Sequence, residues 1–344
     1  MEKRDILSLS FDELSAAVKE LGEPAFRAKQ IYSWLHSSCV TSFYEMTNIS
    51  KALRQKLDDN FVIFTVSIEK KLISEYDYTQ KYLFRLHDGE FIESVLMKYK
   101  YGYTICVSTQ VGCRMGCKFC ASTLDGVVRN LKASEILSQV YEAQRDNNIK
   151  ISHVVLMGMG EPLDNYDNVL RFLSLITDEQ GQNMSMRHIS LSTCGVVPGI
   201  YDLMEKDLQL TLSVSLHAPS DEIRSSMMPV NRKWNVDELL TACRKYTDRT
   251  RRRISFEYAM VSGVNDSDDC ARLLAQKLKG ILCHVNLIPV NEVKETGCKR
   301  SSRERIESFS RILEKSGFAV TVRRKLGSDI NASCGQLRRS NKKE

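Results

Sequence analysis

The sequence predicts an α/β protein: a partial, TIM-like (β/α)6 barrel preceded by a small N-terminal helical domain. Three observations carry this. From about residue 103 onward, six short β-branched runs alternate with helical stretches. The first sixty residues instead show three amphipathic helix patterns. Between the two regions the sequence alternates like strands. Repeated β/α units argue a parallel sheet that curls into a full or partial barrel. At 344 residues and 42% hydrophobic, the chain is long enough for a large core and about two domains.

The elements follow in order. SFDELSAAVKELGEP opens with a Ser-x-x-Glu capping pattern ahead of an apolar stripe. FRAKQIYSWLHSS and SKALRQKLDDNF read as a second and a third helix, and Gly22-Glu23-Pro24 separates the first two. Phe26, Ile31, Trp34 and Leu35 read as their core. FTVSIEKKLIS, KYLFRL and FIESVLMKYK read as strands. The barrel strands are YTICVST (103–109), SHVVLMGMG (152–160), HISLSTCG (188–195), LTLSVSLHA (210–218), ISFEYAMVSG (254–263) and HVNLIPVN (284–291). Helical patterns such as ASEILSQVYEAQRD and VDELLTACRKYT lie between them. The expected organisation is a helical domain over 1–60 and a β-rich extension over 61–100. The barrel follows over 101–300, then a C-terminal helix, strand and tail over 301–344. In such barrels the working residues stand at the C-terminal ends of the strands. Each strand here ends in polar or glycine residues.

Composition narrows the class. No apolar run reaches the roughly 18 residues that a membrane span needs. MEKRDILSLSFDEL carries no apolar signal region. The expected compartment is therefore the cytoplasm, with no membrane partner. An odd count of 11 cysteines argues for metal or redox chemistry over a disulfide framework. Cys39, Cys243, Cys270 and Cys283 read as small buried residues. Net charge is +6 and uneven: residues 249–253 read RTRRR, and the last 24 residues hold seven Lys/Arg against two acids. Such clusters suit a polyanion such as nucleic acid, or a merely solvated surface.

The densest chemistry lies in VGCRMGCKFCAST, residues 111–123, where Cys113, Cys117 and Cys120 form C-x3-C-x2-C. Thiolates at this spacing bind zinc or an iron–sulfur cluster. A closed zinc site needs a further ligand pair nearby, yet the next cysteine is Cys194 and no histidine lies between Cys120 and His153. A three-cysteine cluster leaves one iron open to a small chelating molecule.

With an aromatic residue before its last cysteine, this motif resembles the radical-SAM superfamily. The resemblance implies a [4Fe-4S] cluster on Cys113, Cys117 and Cys120, with S-adenosyl-L-methionine (SAM) on the open iron. GMGEP (158–162) resembles the segment that meets the SAM amino group, which implies SAM contacts at Gly160 and Glu161. Ser192, Ser215, Leu216, His217 and Asn291 stand at later strand ends and match further SAM contacts.

ICVSTQVGC together with INASCGQL resembles, more narrowly, the RlmN/Cfr family of RNA adenine methyltransferases, over nearly the whole chain. The resemblance implies that Cys334 carries a methyl group, that Cys106 resolves the protein–RNA adduct by forming a disulfide, and that Glu93 accepts a proton. Two SAM molecules are used per turnover. The implied substrates are an adenosine of 23S rRNA at the peptidyl transferase centre and adenosine 37 of some tRNAs. A flavodoxin-type electron donor and a monomeric enzyme are also implied. Pro162 favours carbon-2 over carbon-8 methylation of the adenine. The target base must leave its stack, and Arg251, Arg252, Arg253, Arg323, Arg324 and Lys325 are candidates for RNA backbone contact. The segment 292–303, EVKETGCKRSSR, departs from the family pattern, as does Cys194, where Ser or Thr is common. A zinc-bearing RNA-binding protein is the non-enzymatic alternative.

Overall fold

A computed structural model describes residues 3–291, 297–332 and 335–337. Cys334 and residues 292–296 lie outside the described residues.

The chain opens with β1 (Arg4–Asp5), then α1 (Phe11–Glu20), α2 (Phe26–His36) and α3 (Lys51–Asn60), and β2 (Phe61–Val62) pairs in parallel with β1. Ser10 and Glu13 close a reciprocal capping box at the start of α1, as the pattern predicts. Helix α2 buries Ala28, Ile31, Tyr32 and Leu35, spaced at i, i+3, i+4 and i+7. Phe26 does not join them. It is 57% exposed and its ring lies under Arg27. Two residues before Ala28, it starts the helix on the outer side of that stripe. Trp34 is only half-buried, and its Nε1 donates to Asn48.

One sheet of ten strands dominates the rest. Strands β3 (Ser67–Ile73), β4 (Gln80–Arg85), β5 (Phe91–Tyr99) and β6 (Gly102–Cys106) run antiparallel to one another. A small ribbon, β7 (Gln110–Gly112) with β8 (Val127–Asn130), brackets the cysteine loop. Then the β/α rhythm begins: α4 (Ala133–Asn147), β9 (Ile151–Leu156), α5 (Tyr166–Thr177), β10 (Ile189–Thr193), α6 (Val197–Met204) and β11 (Thr211–Ser215). After it come α7 (Asp221–Met227), α8 (Val236–Thr250), β12 (Ile254–Met260), α9 (Asp268–Leu278), β13 (Cys283–Pro289), α10 (Arg303–Lys315) and β14 (Ala319–Val322). The six expected barrel strands all form, and β6, β9, β10, β11, β12 and β13 are parallel neighbours in that order. Strand β14 adds a seventh parallel strand outside β13. The strand order ends at β14 on one side and β3 on the other, so the barrel is partial.

The apolar core is continuous from the N-terminal helices into the barrel. Polar links cross the same boundary. Ser134 Oγ donates to Asp5 at 2.6 Å, His36 Nδ1 meets Tyr141 OH at 3.0 Å, and Arg171 holds both carboxylate oxygens of Glu13. Cys39, Cys243 and Cys270 are buried as expected, whereas Cys283 is half-buried. No helix among the described residues is long and apolar enough to cross a membrane.

Candidate active site

The C-terminal ends of the parallel strands surround an open cavity of about 940 Å³. Cys113, Cys117 and Cys120 line one side. Their loop is fixed by its backbone: Cys113 N donates to Gly126 O, Lys118 N to Met227 O and Ala121 N to Gly335 O. Thr123 Oγ1 caps the carbonyl of Cys120 at 2.9 Å. Burial pushes the Cys113 thiol up to about 12, and the neighbouring Cys120 adds to it. Cys117 is pushed well above the usual thiol range by burial and then by its two partners. Such neighbours are poor thiolates by themselves and become so against a metal core, which removes the proton outright. Among the described residues no set of three His, Cys, Asp or Glu side chains is already gathered to metal-ligating geometry. The fit rests instead on the shared cavity wall, the mutual charge coupling and the soft thiol donors.

The other predicted positions meet around the same cavity. Gly160, Glu161, Ser192, Ser215, His217 and Asn291 all line it. Gly158 and Gly160 are needed for packing first. A Cβ on Gly158 would stand 2.6 Å from the Val107 carbonyl, and one on Gly160 would stand 2.6 Å from the Gln110 side chain. This tight crossing aims Glu161, which is buried. Its carboxylate accepts from Cys194 N at 2.7 Å and Leu163 N at 3.1 Å, yet burial still raises its pKa. His217 has φ +58°, a left-handed backbone that marks a constrained position. Its Nδ1 accepts from Ala259 N at 2.8 Å, so the neutral ring carries its proton on Nε2. Burial, aided by Arg224, lowers its pKa to about 3. Leu216 differs from the expectation. Its side chain is fully buried in the core and is not part of the wall. Its carbonyl accepts from Arg224.

A second cleft of about 660 Å³ adjoins the first, and Met157, Ile288, Asn291 and Arg323 line both. Cys106 opens into this cleft, as do Arg300, Arg324 and Lys325. Two of the three expected basic residues of the VRRK run therefore line the Cys106 cleft alone, and the third, Arg323, faces both chambers. Arg251, Arg252 and Arg253 do not come near. They precede β12, at the barrel end away from the cavity, where Arg252 caps the Leu210 carbonyl. Cys334 lies outside the described residues, but Ala332 lines the Cys106 cleft and Gly335 lines the cysteine cavity.

Glu93 by itself reads as an exposed strand residue, but it is buried and ion-paired to Lys81 Nζ at 2.8 Å. Val95 pairs with Cys106 across β5 and β6, and Glu93, two residues along, shares that face. Sequence reasoning missed Lys81, Arg224 and Glu257. Glu257 lines the cavity from β12 and accepts from Ser255 Oγ and Asn286 Nδ2. The available signal was a lone acid inside the apolar run ISFEYAM.

A partial barrel with a three-cysteine loop at the mouth of its first strand defines a radical-SAM enzyme. The model of the radical SAM superfamily matches residues 107–274, and that of the ribosomal RNA large subunit methyltransferase N-terminal domain matches residues 4–63. A probable dual-specificity RNA methyltransferase RlmN of Clostridium novyi is 55% identical over 337 residues, covering 98% of both chains. Its counterpart from Clostridium botulinum (strain Eklund 17B / Type B) is 56% identical, covering 98% of this chain and 97% of its own. The crystal structure of a radical SAM methyltransferase from Sphaerobacter thermophilus superposes with a TM-score of 0.93 at 41% identity. It covers 97% of this chain and 99% of that one. The chain belongs to the RlmN family of radical-SAM RNA methyltransferases, which work with a [4Fe-4S] cluster and SAM.

Proposed function

We propose that the protein methylates carbon 2 of one adenosine in 23S rRNA, at the peptidyl transferase centre, and adenosine 37 of some tRNAs, through a methyl group carried on Cys334. One observation supports this most. The described neighbours of Cys334 face two different chambers: Ala332 the cleft of Cys106, and Gly335 the cavity of Cys113, Cys117 and Cys120. A cysteine between them in the chain suits a carrier that takes up chemistry in one chamber and delivers it in the other.

Cys113, Cys117 and Cys120 would hold the cluster, and Gly160, Glu161, Ser192, Ser215, His217 and Asn291 would surround the SAM. Leu216 would act through its backbone. Bound there with SAM, the cluster supplies the one-electron cleavage that removes a hydrogen atom from the methyl on Cys334. This chain's residues do the rest. Cys334 first takes the methyl from a SAM molecule by displacement, and the demethylated SAM leaves. After hydrogen loss, its methylene carbon bonds to carbon 2 of the adenine. The adduct loses one electron, for which the cluster would be the acceptor, and Glu93 takes the carbon-2 proton. The Cys106 thiolate then attacks the sulfur of Cys334. A disulfide forms, the carbon–sulfur bond breaks, the freed carbon takes up a proton to complete the methyl group, and methylated RNA departs. Arg300, Arg324 and Lys325 supply backbone contacts at the cleft. The enzyme works as a cytoplasmic monomer fed by a flavodoxin-type donor.

Cys106→Ala tests the assignment. It should accumulate a covalent protein–RNA adduct. Mass spectrometry of nucleosides from rRNA and tRNA should show 2-methyladenosine in the wild type. An 8-methyl product would give the site a different carbon, and normal turnover of the variant would remove Cys106 from the mechanism.

A further inference from the structure

Arg224 is the one wholly buried arginine among the described residues, at 0% exposure, and the mechanism above does not use it. It sits on α7 and makes four hydrogen bonds, all to neutral oxygens. Nε donates to Leu216 O at 3.0 Å and Nη1 to Asn231 Oδ1 at 3.0 Å. Nη2 donates to Cys194 O at 2.6 Å and Ser215 O at 3.1 Å. These partners satisfy the donors without neutralising the charge. One acid, Asp221, meets the guanidinium only through Asn231, whose Nδ2 donates to Asp221 Oδ1 at 2.9 Å. A buried cation with no anion in direct contact is costly. Gathering three carbonyls at strand ends does not require a full positive charge.

A closer counter-charge has an obvious place. The last residue of α7, Met227, accepts through its carbonyl from Lys118 N at 2.9 Å, between Cys117 and Cys120. The helix carrying the guanidinium is thus bonded directly to the cysteine loop. Cys194, whose carbonyl receives the shortest of the four bonds, lines the cavity and packs in one cluster with Cys117. The charge also reaches His217, whose ring packs edge-on against Phe119 of the cysteine loop, and helps keep it unprotonated. An oxidised cluster held by three thiolates is a net anion, and adding an electron deepens that charge.

We propose that Arg224 is a positioning residue for the cluster: its buried positive charge offsets the cluster's negative charge and makes one-electron reduction easier. The proposal rests on Cys113, Cys117 and Cys120 being the ligands. A fixed charge in a low-dielectric interior acts at longer range than it would in water, so Arg224 need not touch the iron.

The test uses full-length protein reconstituted anaerobically, with iron and sulfide content measured first. The cluster midpoint potential is read by electron paramagnetic resonance during titration with dithionite. Arg224→Gln, which removes the charge, should move the midpoint to more negative potential. Arg224→Lys, which keeps it, should stay near wild type. Asn231→Asp leaves the guanidinium in place but sets a carboxylate against Nη1, and it too should lower the midpoint. That variant decides the matter if Arg224→Gln does not fold. Fully loaded Gln and Asp variants with the wild-type midpoint would overturn the proposal. So would a Lys variant that shifts as far as the Gln variant, because hydrogen-bond geometry would then be the cause. Loss of the ligand assignment itself would show separately, as full iron content in Cys117→Ala.

Discussion

Replacing Lys81 by Met removes the cation of a pair that ties β4 to β5. Lys81 Nζ and Glu93 Oε1 are 2.8 Å apart, and their side chains are only 10% and 9% exposed. At that burial, solvent screens little. Taking away one partner of a buried pair costs about 3–5 kcal/mol, against about 0–1 kcal/mol for a surface pair. Lys81 Nζ also donates to Asn331 O at 3.3 Å, so the variant loosens the segment that leads to Ala332 and Cys334. The assay is a double-mutant cycle with Lys81→Met, Glu93→Gln and both together, read by urea unfolding. Lys81→Met should lose about 3 kcal/mol or more. The double variant should lose less than the sum of the singles, with a coupling of roughly 1–3 kcal/mol. Additive singles costing under about 1 kcal/mol each, in the range of a surface pair, would refute the reasoning.

Three more predictions stand beside it. Cys117→Ala should lose the broad iron–sulfur absorption and most of its iron, while circular dichroism of the apoprotein keeps the wild-type shape. Arg324→Gln should weaken RNA binding and lower the slope of log affinity against log salt by about 0.7–0.9. Arg251→Gln, at the other end of the barrel, should leave that slope unchanged in the same titration. His36 is fully buried and held near 3 by that burial, whereas an unfolded histidine titrates near 6.5. Between these values the unfolded chain binds the extra proton, so His36 makes stability fall as pH drops below about 6.5. The loss approaches about 1.4 kcal/mol per pH unit. His36→Gln should show a shallower fall in urea midpoint from pH 7 to pH 4 than wild type. An equal slope would mean His36 is protonated when folded.

What the sequence revealed and what it hid divide along physical lines. The barrel strands were legible because strands buried on both faces read as unbroken β-branched runs. The cysteine loop was legible because its three cysteines lie within eight residues of one another. Glu93 was legible only through resemblance: its cation is twelve residues away on a separate strand, and strand pairing is not written in local periodicity. The two basic runs look alike in sequence. Topology alone sends RTRRR to the start of β12 and VRRK to the end of β14, so one lies far from the cavity and the other beside it. Arg224 in DEIRSSM reads as an ordinary surface helix position. Phe26 failed for a smaller reason, since one turn of helix offers too few positions to fix its phase.

The core shared by the N-terminal helices and the barrel has a mechanical consequence. Helices hung on a linker would swing and let the protein adapt to its substrate. Here Leu14, Ile31 and Leu35 belong to the same packed interior as Val140 and Phe172. The helices are a rigid outrigger, held at a set distance from the cleft of Cys106. An RNA that touched both would have to arrive with that spacing or be bent to it, and the shared core would then make the fold a gauge of substrate shape.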